Sequence, residues 1–489
     1  MSFFNRGPSG RFGLPSPTVR PLTLLFALGV LIVSIQMGQI IGRSPDDFFE
    51  AIQLPALAVI ALLILRRPYI GLALTLGSLP ITELLPRLPF ATSLFPVLGG
   101  LTTASYILSA RFGGVTYPKI TLTRTHIFAI AFVVWMFISN PTVSWLEGDR
   151  TWMFTFIQLL ALVFLTGILL REPRAQETVM WLFALSAVIS GVVAIQEVLS
   201  ADEFVRGNGF LGGANTAVRY FVVAMIFLFH LRTVQDNNLL KLLITVAIGV
   251  LALSAIYTFS RTGFVILMLA MVLLFLGSQS LGGGKRLRGS QLSLLAVAII
   301  VLTLLVPEEF YVLLDERFLT SVQEGTDTVG IRYNLWQTGL NMWFDHPIAG
   351  VGIGQFGANL GSYGIDLLDL DEIVREAGAH NAFVQVLAET GIVGLGLFLG
   401  MLWFALRGLW RGTRSPDGRT ASLALTWFVT FVALLVGWLT MHTFYDKVAW
   451  ACIGMATYFE TLATKSSEAA IGEQARASLD LTNSQQRES

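Results

Sequence analysis

Residues 377–404 read AGAHNAFVQVLAETGIVGLGLFLGMLWF, and within this stretch the chain passes from an acidic, water-soluble segment into unbroken apolar sequence. His380 and Asn381 stand at that boundary, which puts an ionisable ring where a membrane helix begins. From Ala382 onward almost every side chain is lipid-soluble, and the apolar run is long enough to cross a bilayer, about 20 residues at 1.5 Å each. The rest of the chain has the same character. With 54% hydrophobic and only 13% charged residues, and a mean hydropathy of +0.68, it lies well outside the range of soluble domains, which carry about 25% charge. The sequence therefore predicts an all-α, polytopic integral membrane protein.

Working outward from 381, apolar runs of helical length are expected at 21–41, 50–66, 69–85, 89–110, 126–145, 152–170, 178–199, 215–232, 239–258, 261–280, 290–307, 381–407, 421–441 and 446–463, so about 12–14 transmembrane helices. Pro80, Pro86 and Pro89 interrupt the third and fourth, which reads as broken or re-entrant structure. Basic residues accumulate on the cytoplasmic side of membrane proteins. Placing the N-terminus inside gathers Arg66 and Arg67, Arg111 to Arg124, Arg171 and Arg174, Lys285 to Arg288, and Arg407 to Arg419 on that side and leaves the outer loops poor in base. Five regions follow. Residues 1–20 form a cytoplasmic tail, 21–307 a first set of helices, 308–379 a large extracytoplasmic loop, 380–463 the last helices, and 464–489 a disordered cytoplasmic tail. The first apolar run lacks a small-residue cleavage site and is expected to be retained. The single Cys452 excludes an intramolecular disulfide and is expected to pack. The formal net charge is zero, and nothing points to a nucleic-acid partner.

The large loop holds twelve acidic residues against Arg317, Arg332 and Arg375. Within it Ile331, Leu335 and Met342, beside Trp336, Leu340 and Trp343, recur at helical spacing and predict an amphipathic helix along the membrane surface, stopped at His346-Pro347. Gly350, Gly352 and Gly354 follow and are expected to form a turn whose N–H groups approach an anion or a sugar. Two further Arg fall on the outer side. Arg206 precedes the helix that Asn215 opens, and Arg261 sits in Phe-Ser-Arg-Thr-Gly at the mouth of a tight hairpin. An interfacial Arg can also simply snorkel to headgroups or pair with a carboxylate.

Taken in order, Ser260-Arg261-Thr-Gly, Arg332 with Trp336, His346-Pro347-x-x-Gly-Val-Gly-x-Gly-x-Phe356, His380-Asn381 and Glu389-x-Gly391-x-x-Gly394 resemble the O-antigen ligase and O-antigen polymerase superfamily. The resemblance spans about 255–400, and the flanking helices match only in being hydrophobic. It implies a bacterial inner-membrane glycosyltransferase similar to C-type enzymes, with Arg261, Arg332 and His380 as the active site. The donor it implies is a glycan on a polyprenyl (undecaprenyl) diphosphate, the acceptor a lipid or glycan hydroxyl, with membrane lipids around them and no cofactor. The family usually has about twelve helices, so the extra pair counted here is either an addition to the family pattern or an overcount around 69–110.

The same residues make chemical sense on their own. Two guanidinium groups bind diphosphate oxygens bidentately and stabilise the charge on a departing diphosphate. A neutral imidazole suits removal of the acceptor proton, and the positive end of a helix dipole at His380 disfavours imidazolium. A single displacement inverts the anomeric centre and needs no metal. Candidate substrate-binding residues are Arg206, Asn215, Asn381, Trp336, Gly352 and Gly354, with Asn381 also suited to orient the ring or cap the helix. Glu389, in a membrane helix, is expected either to pair with an Arg or to accept a hydrogen bond internally.

Of the other histidines, His126 and His230 are expected as interfacial anchors and His346 as part of a turn. His442 faces outward, and surface structure is expected for it rather than the site. Asp46-Asp47 suggests a metal-dependent lipid-sugar transferase, and Asp366, Asp369, Asp371 and Glu372 a Ca²⁺ site, but solvated acidic surface is the plainer expectation. Ligase and polymerase share the donor chemistry. A polysaccharide transporter or flippase is the alternative from a different class, and it would lack a role for the acidic, Gly-rich loop and would place its charges at midplane.

Overall fold

The computed structural model describes residues 59–84, 94–112, 116–139, 147–201, 205–280, 328–363 and 378–464. The apolar runs at 21–41 and 290–307, both terminal tails, Asp46-Asp47 and the Asp366–Glu372 cluster lie outside these residues. The chain divides into two compact units, Met1–Arg67 and Pro68–Ser489. In the first, residues 59–66 are helical. The second holds all the other described elements.

Its helices in chain order are α1 (Pro68–Gly77), α2 (Leu94–Arg111), α3 (Arg124–Ile138), α4 (Glu147–Leu169), α5 (Pro173–Leu199), α6 (Ala214–Val234), α7 (Asn238–Tyr257), α8 (Arg261–Ser280), α9 (Thr328–Asp345), α10 (Phe356–Tyr363), α11 (Ala382–Gly412), α12 (Gly418–Gly437) and a last helix, α13, at 447–464. No strand occurs among the described residues. Six of these helices are long and apolar enough to cross a membrane: α4 from Trp152, α5, α6, α7, α11 and α12. The protein is an all-helical polytopic membrane protein. The run expected at 69–85 is two short pieces, α1 and a 3₁₀ segment Leu79–Leu84 in which Ile81 leaves helical geometry. Pro80 lies in that segment, where its missing N–H and fixed φ break the ladder.

Burial explains the arrangement. On α5, Val179, Phe183, Ala187 and Ala194 are buried while Leu185, Ile189 and Val192 are exposed, so one apolar stripe faces helices and another faces lipid. α6 is buried on all sides, with every residue from Ala217 to Leu231 enclosed between α5, α7, α8 and α12. It is the helix around which the others stand. α4 and α13 approach closely where Gly454 meets Thr166 and Gly167 meets Thr457, the small-residue contact that lets apolar helices pack without a hydrophobic driving force. Cys452 is buried in α13, as expected of a packing thiol. His126 and His230, expected as interfacial anchors, are instead buried: His126 closes a capping box with Thr123 at the start of α3, and His230 Nδ1 lies 3.0 Å from Ser422 Oγ.

Candidate active site

The amphipathic helix expected in the large loop is α9, which ends at Asp345, before His346-Pro347. The chain beyond it does not stay at the surface. It docks against α11, whose backbone breaks at Gly391 (φ 65°, ψ −170°), a conformation open in practice only to glycine. A broken helix inside a membrane must find partners for its freed carbonyls. Here Val351 N–H donates to Ala388 O and Gly352 N–H to Glu389 O, each at 2.9 Å, and Trp135 Nε1 of α3 donates to Thr390 O at 2.8 Å. On the other side of the break, Ile392 N–H donates to Pro347 O at 2.9 Å. The glycine-rich loop and the helix break are thus one structure, each completing the hydrogen bonding of the other.

Glu389 extends this joint towards the histidine. Its Oε1 accepts from Phe356 N–H at 3.2 Å, which caps α10, and from Gln385 Nε2 at 2.7 Å. Gln385 Oε1 in turn accepts from Ala379 N–H at 2.6 Å, the residue before His380. Of the two roles open to Glu389, the structure shows the internal hydrogen-bond acceptor. Gly352 and Gly354, expected to offer their N–H groups to a ligand, give them to Glu389. Asn381 caps α11, accepting from Phe383 N–H at 2.9 Å and Val384 N–H at 3.2 Å.

Arg206 and Asn215 act on a second corner. Asn215 Oδ1 accepts from Arg206 Nη2 at 3.0 Å and from Ser260 Oγ at 2.9 Å, while Arg206 Nε donates to Thr258 O at 2.9 Å. Ser260 Oγ also accepts from Gly263 N–H at 3.2 Å, and so caps α8 directly before Arg261. These contacts fix the turn between α7 and α8 and with it the root of the Arg261 side chain.

The three residues expected to form the centre come together. Arg332, half-buried on α9, has its pKa lowered by burial and then by the charge of Arg261. His380 is held below its ordinary value by burial and then by Arg332. The helix dipole invoked from sequence has the same sign, but these two causes carry the effect. His380 takes a left-handed backbone conformation (φ 47°), uncommon for any residue but glycine. Trp336, one turn beyond Arg332, has its indole Nε1 buried with no hydrogen-bond partner among the described residues.

Two residues stand in the site that the sequence reading placed elsewhere or passed over. The His442 ring meets His380 edge to face at 5.4 Å, so it lines the site and is not surface structure. Its pKa falls to about 4, by burial first and then through His380 and Arg219, and its Nδ1 is buried without a partner among the described residues. Arg219, on α6 and 2% exposed, donates through Nη1 to Thr443 Oγ1 at 2.9 Å and lies 3.8 Å from Asp446 Oδ2. Asp446 caps α13 through Val448 N–H at 2.9 Å and Ala449 N–H at 3.1 Å. The central helix thus anchors the 442–446 turn that carries His442. A charged residue in the apolar run 215–232 was the available signal for Arg219. For His442, only its outward position hinted at the site.

Residues 246–399 match the family model described as O-antigen ligase. Over this segment, about a third of its length, the chain is similar to that family. The matched segment runs from α7 into α11 and contains Arg261, Arg332, the docked glycine loop and His380, whereas Arg206, Arg219 and His442 lie outside it. No curated protein matched the chain. The resemblance seen in the ordered motifs and the match to the O-antigen ligase model cover nearly the same residues, and the helix break at Gly391 falls inside both.

Proposed function

We propose that the protein is an O-antigen ligase-like glycosyltransferase that moves a glycan from a polyprenyl diphosphate carrier to an acceptor hydroxyl on the outer face of the bacterial inner membrane. The observation that carries this reading is the pairing of like charges. The charge of Arg261 disfavours ionisation of Arg332, and the charge of Arg332 disfavours that of His380. Among the described residues no carboxylate forms an ion pair with Arg332. Cations brought together at the edge of a membrane are stabilised by an anion, and a diphosphate provides two charges and bidentate oxygens for two guanidinium forks.

The chemistry follows from those positions. The acceptor oxygen attacks the anomeric carbon as His380 takes its proton, and the bond from that carbon to the diphosphate oxygen breaks. Its electron pair leaves with the polyprenyl diphosphate, whose growing charge Arg261 and Arg332 stabilise. One displacement inverts the anomeric centre. In this reading the Trp336 indole N–H, unpartnered among the described residues, donates to a substrate oxygen. Arg206, Asn215, Asn381, Gly352 and Gly354 serve this reading as the frame that fixes the three central residues. Ligation and polymerisation share this donor chemistry, and ligation is the outcome proposed here.

The test is the glycan profile of a deletion strain carrying the wild-type chain or His380→Ala, on gels that separate carrier-linked from transferred glycan. Long chains accumulating on the carrier with His380→Ala are expected for a ligase. Single repeat units left on the carrier would instead make the chain a polymerase, and a profile identical to wild type would refute the mechanism.

A further inference from the structure

α11 begins at the candidate site and runs 31 residues, about 46 Å if straight, to the other end of the helix bundle. There its last turns meet the start of α3 and the end of α13 around a cavity of about 250 Å³. Arg124, Arg407 and Arg411 line it, with Phe404, Glu460 and Thr464. Arg407 and Arg411, one turn apart on one helix, repel each other. Arg124 occupies the first turn of α3, the positive end of a helix, where a cation is disfavoured. Its guanidinium lies 5.5 Å over the Phe404 ring. Among the described residues Glu460 is the one acid lining the cavity, and its oxygens are already engaged, accepting from Arg124 N–H at 3.3 Å and from Thr125 Oγ1 at 2.9 Å. Among the described residues none of the three guanidinium groups has a carboxylate partner. The negative ends of α11 and α13 explain why cations gather here, but they leave three exposed donor forks around one recess.

We propose that this recess binds the phosphate of an anionic phospholipid headgroup, on the membrane face opposite His380. Phosphate is the ligand whose oxygens several converging guanidinium groups take up with paired hydrogen bonds. The lipid source follows from depth. Trp403 (62% exposed) and Trp410 (42% exposed) flank Arg407 on the outer surface of α11, and tryptophans of this kind mark the level of the headgroups. Basic pockets between membrane helices at that level suit anionic headgroups. The site is separate from the transfer chemistry and does not depend on it.

The full-length protein in phosphatidylcholine nanodiscs, titrated with phosphatidylglycerol or with inorganic phosphate, tests this by retained lipid in native mass spectrometry and by the thermal midpoint. Phosphatidylglycerol is expected to be retained and to raise the midpoint, and millimolar inorganic phosphate to do neither. Arg407→Gln with Arg411→Gln is expected to weaken retention at least about tenfold. Glu460→Gln, which removes the competing negative charge, is expected to strengthen it, and keeps the test open should the double variant fail to fold. Unchanged retention in the double variant, or weaker retention with Glu460→Gln, would overturn the site. A full midpoint shift with inorganic phosphate alone would overturn the lipid assignment.

Discussion

Replacing Gly391 by alanine strikes the joint that holds the site together. At φ 65° and ψ −170° any side chain is strained, by about 1–3 kcal/mol. The added methyl would also collide with Ile348 O and lie 2.6 Å from Ala349 N. Both are backbone atoms, so no rotamer change relieves the contact, and overpacking of this kind costs about 1–3 kcal/mol more. A total of roughly 2–6 kcal/mol approaches the whole stability of a typical domain. The cheaper response is to release the 346–356 segment, which leaves Ala388 O and Glu389 O without Val351 and Gly352 and frees the chain of contacts that runs through Gln385 to Ala379. Gly396 lies further along the same helix with nothing within 4 Å of an added Cβ. Gly396→Ala is therefore expected to be neutral or stabilising by up to about 1 kcal/mol. The assay is limited proteolysis of the 346–356 segment beside glycan transfer, both variants purified in the same detergent. Gly391→Ala is expected to open the segment to cleavage and abolish transfer. If it resists cleavage and transfers as Gly396→Ala does, the docked joint is not what positions the histidine.

Other expectations can be checked together. Arg219→Leu leaves Asp446 buried and uncompensated and is expected to cost about 3–5 kcal/mol, while Arg219→Leu with Asp446→Asn recovers part of that loss in a thermal unfolding cycle. For His442, protons bind the unfolded chain near 6.5 but the folded one only near 4, so its contribution to stability is complete above pH 6.5 and is lost as pH falls towards 4. His442→Gln should flatten that slope between pH 7.5 and 5. His380 acts as a base only when neutral, and burial and Arg332 both lower its pKa. Residual transfer by Arg332→Gln should therefore lose activity at higher pH than Arg332→Lys on the acid side, and an unmoved acid limb would remove Arg332 from the histidine's surroundings.

Much of this was legible in the sequence because two signals are strong in a membrane protein. Apolar runs of fixed length reveal helices, and an Arg or His outside them stands out; Arg261, Arg332 and His380 are singled out among such residues because their order resembles that of the O-antigen ligase and polymerase superfamily. The glycine motif was read from its local chemistry as an anion turn. Its partner proved to be Glu389, some 35 residues along the chain, and no local pattern shows that a loop will complete a broken helix. The same limit hid His442 and Arg219, which reach the site only because α6 is central and α13 returns beside it. For Asn215 the sequence shows only a position at the outer end of a helix, whereas the structure adds its hydrogen bonds to Arg206 and Ser260, which tie that end to the α7–α8 turn.

The most direct test is transfer by the reconstituted protein in liposomes supplied with polyprenyl diphosphate-linked glycan and an acceptor, comparing wild type with His380→Ala while donor binding is followed separately. The expected result is a variant that still inserts and still binds donor through Arg261 and Arg332 but transfers nothing. Transfer at the wild-type rate by His380→Ala would contradict the assignment of His380 as the base.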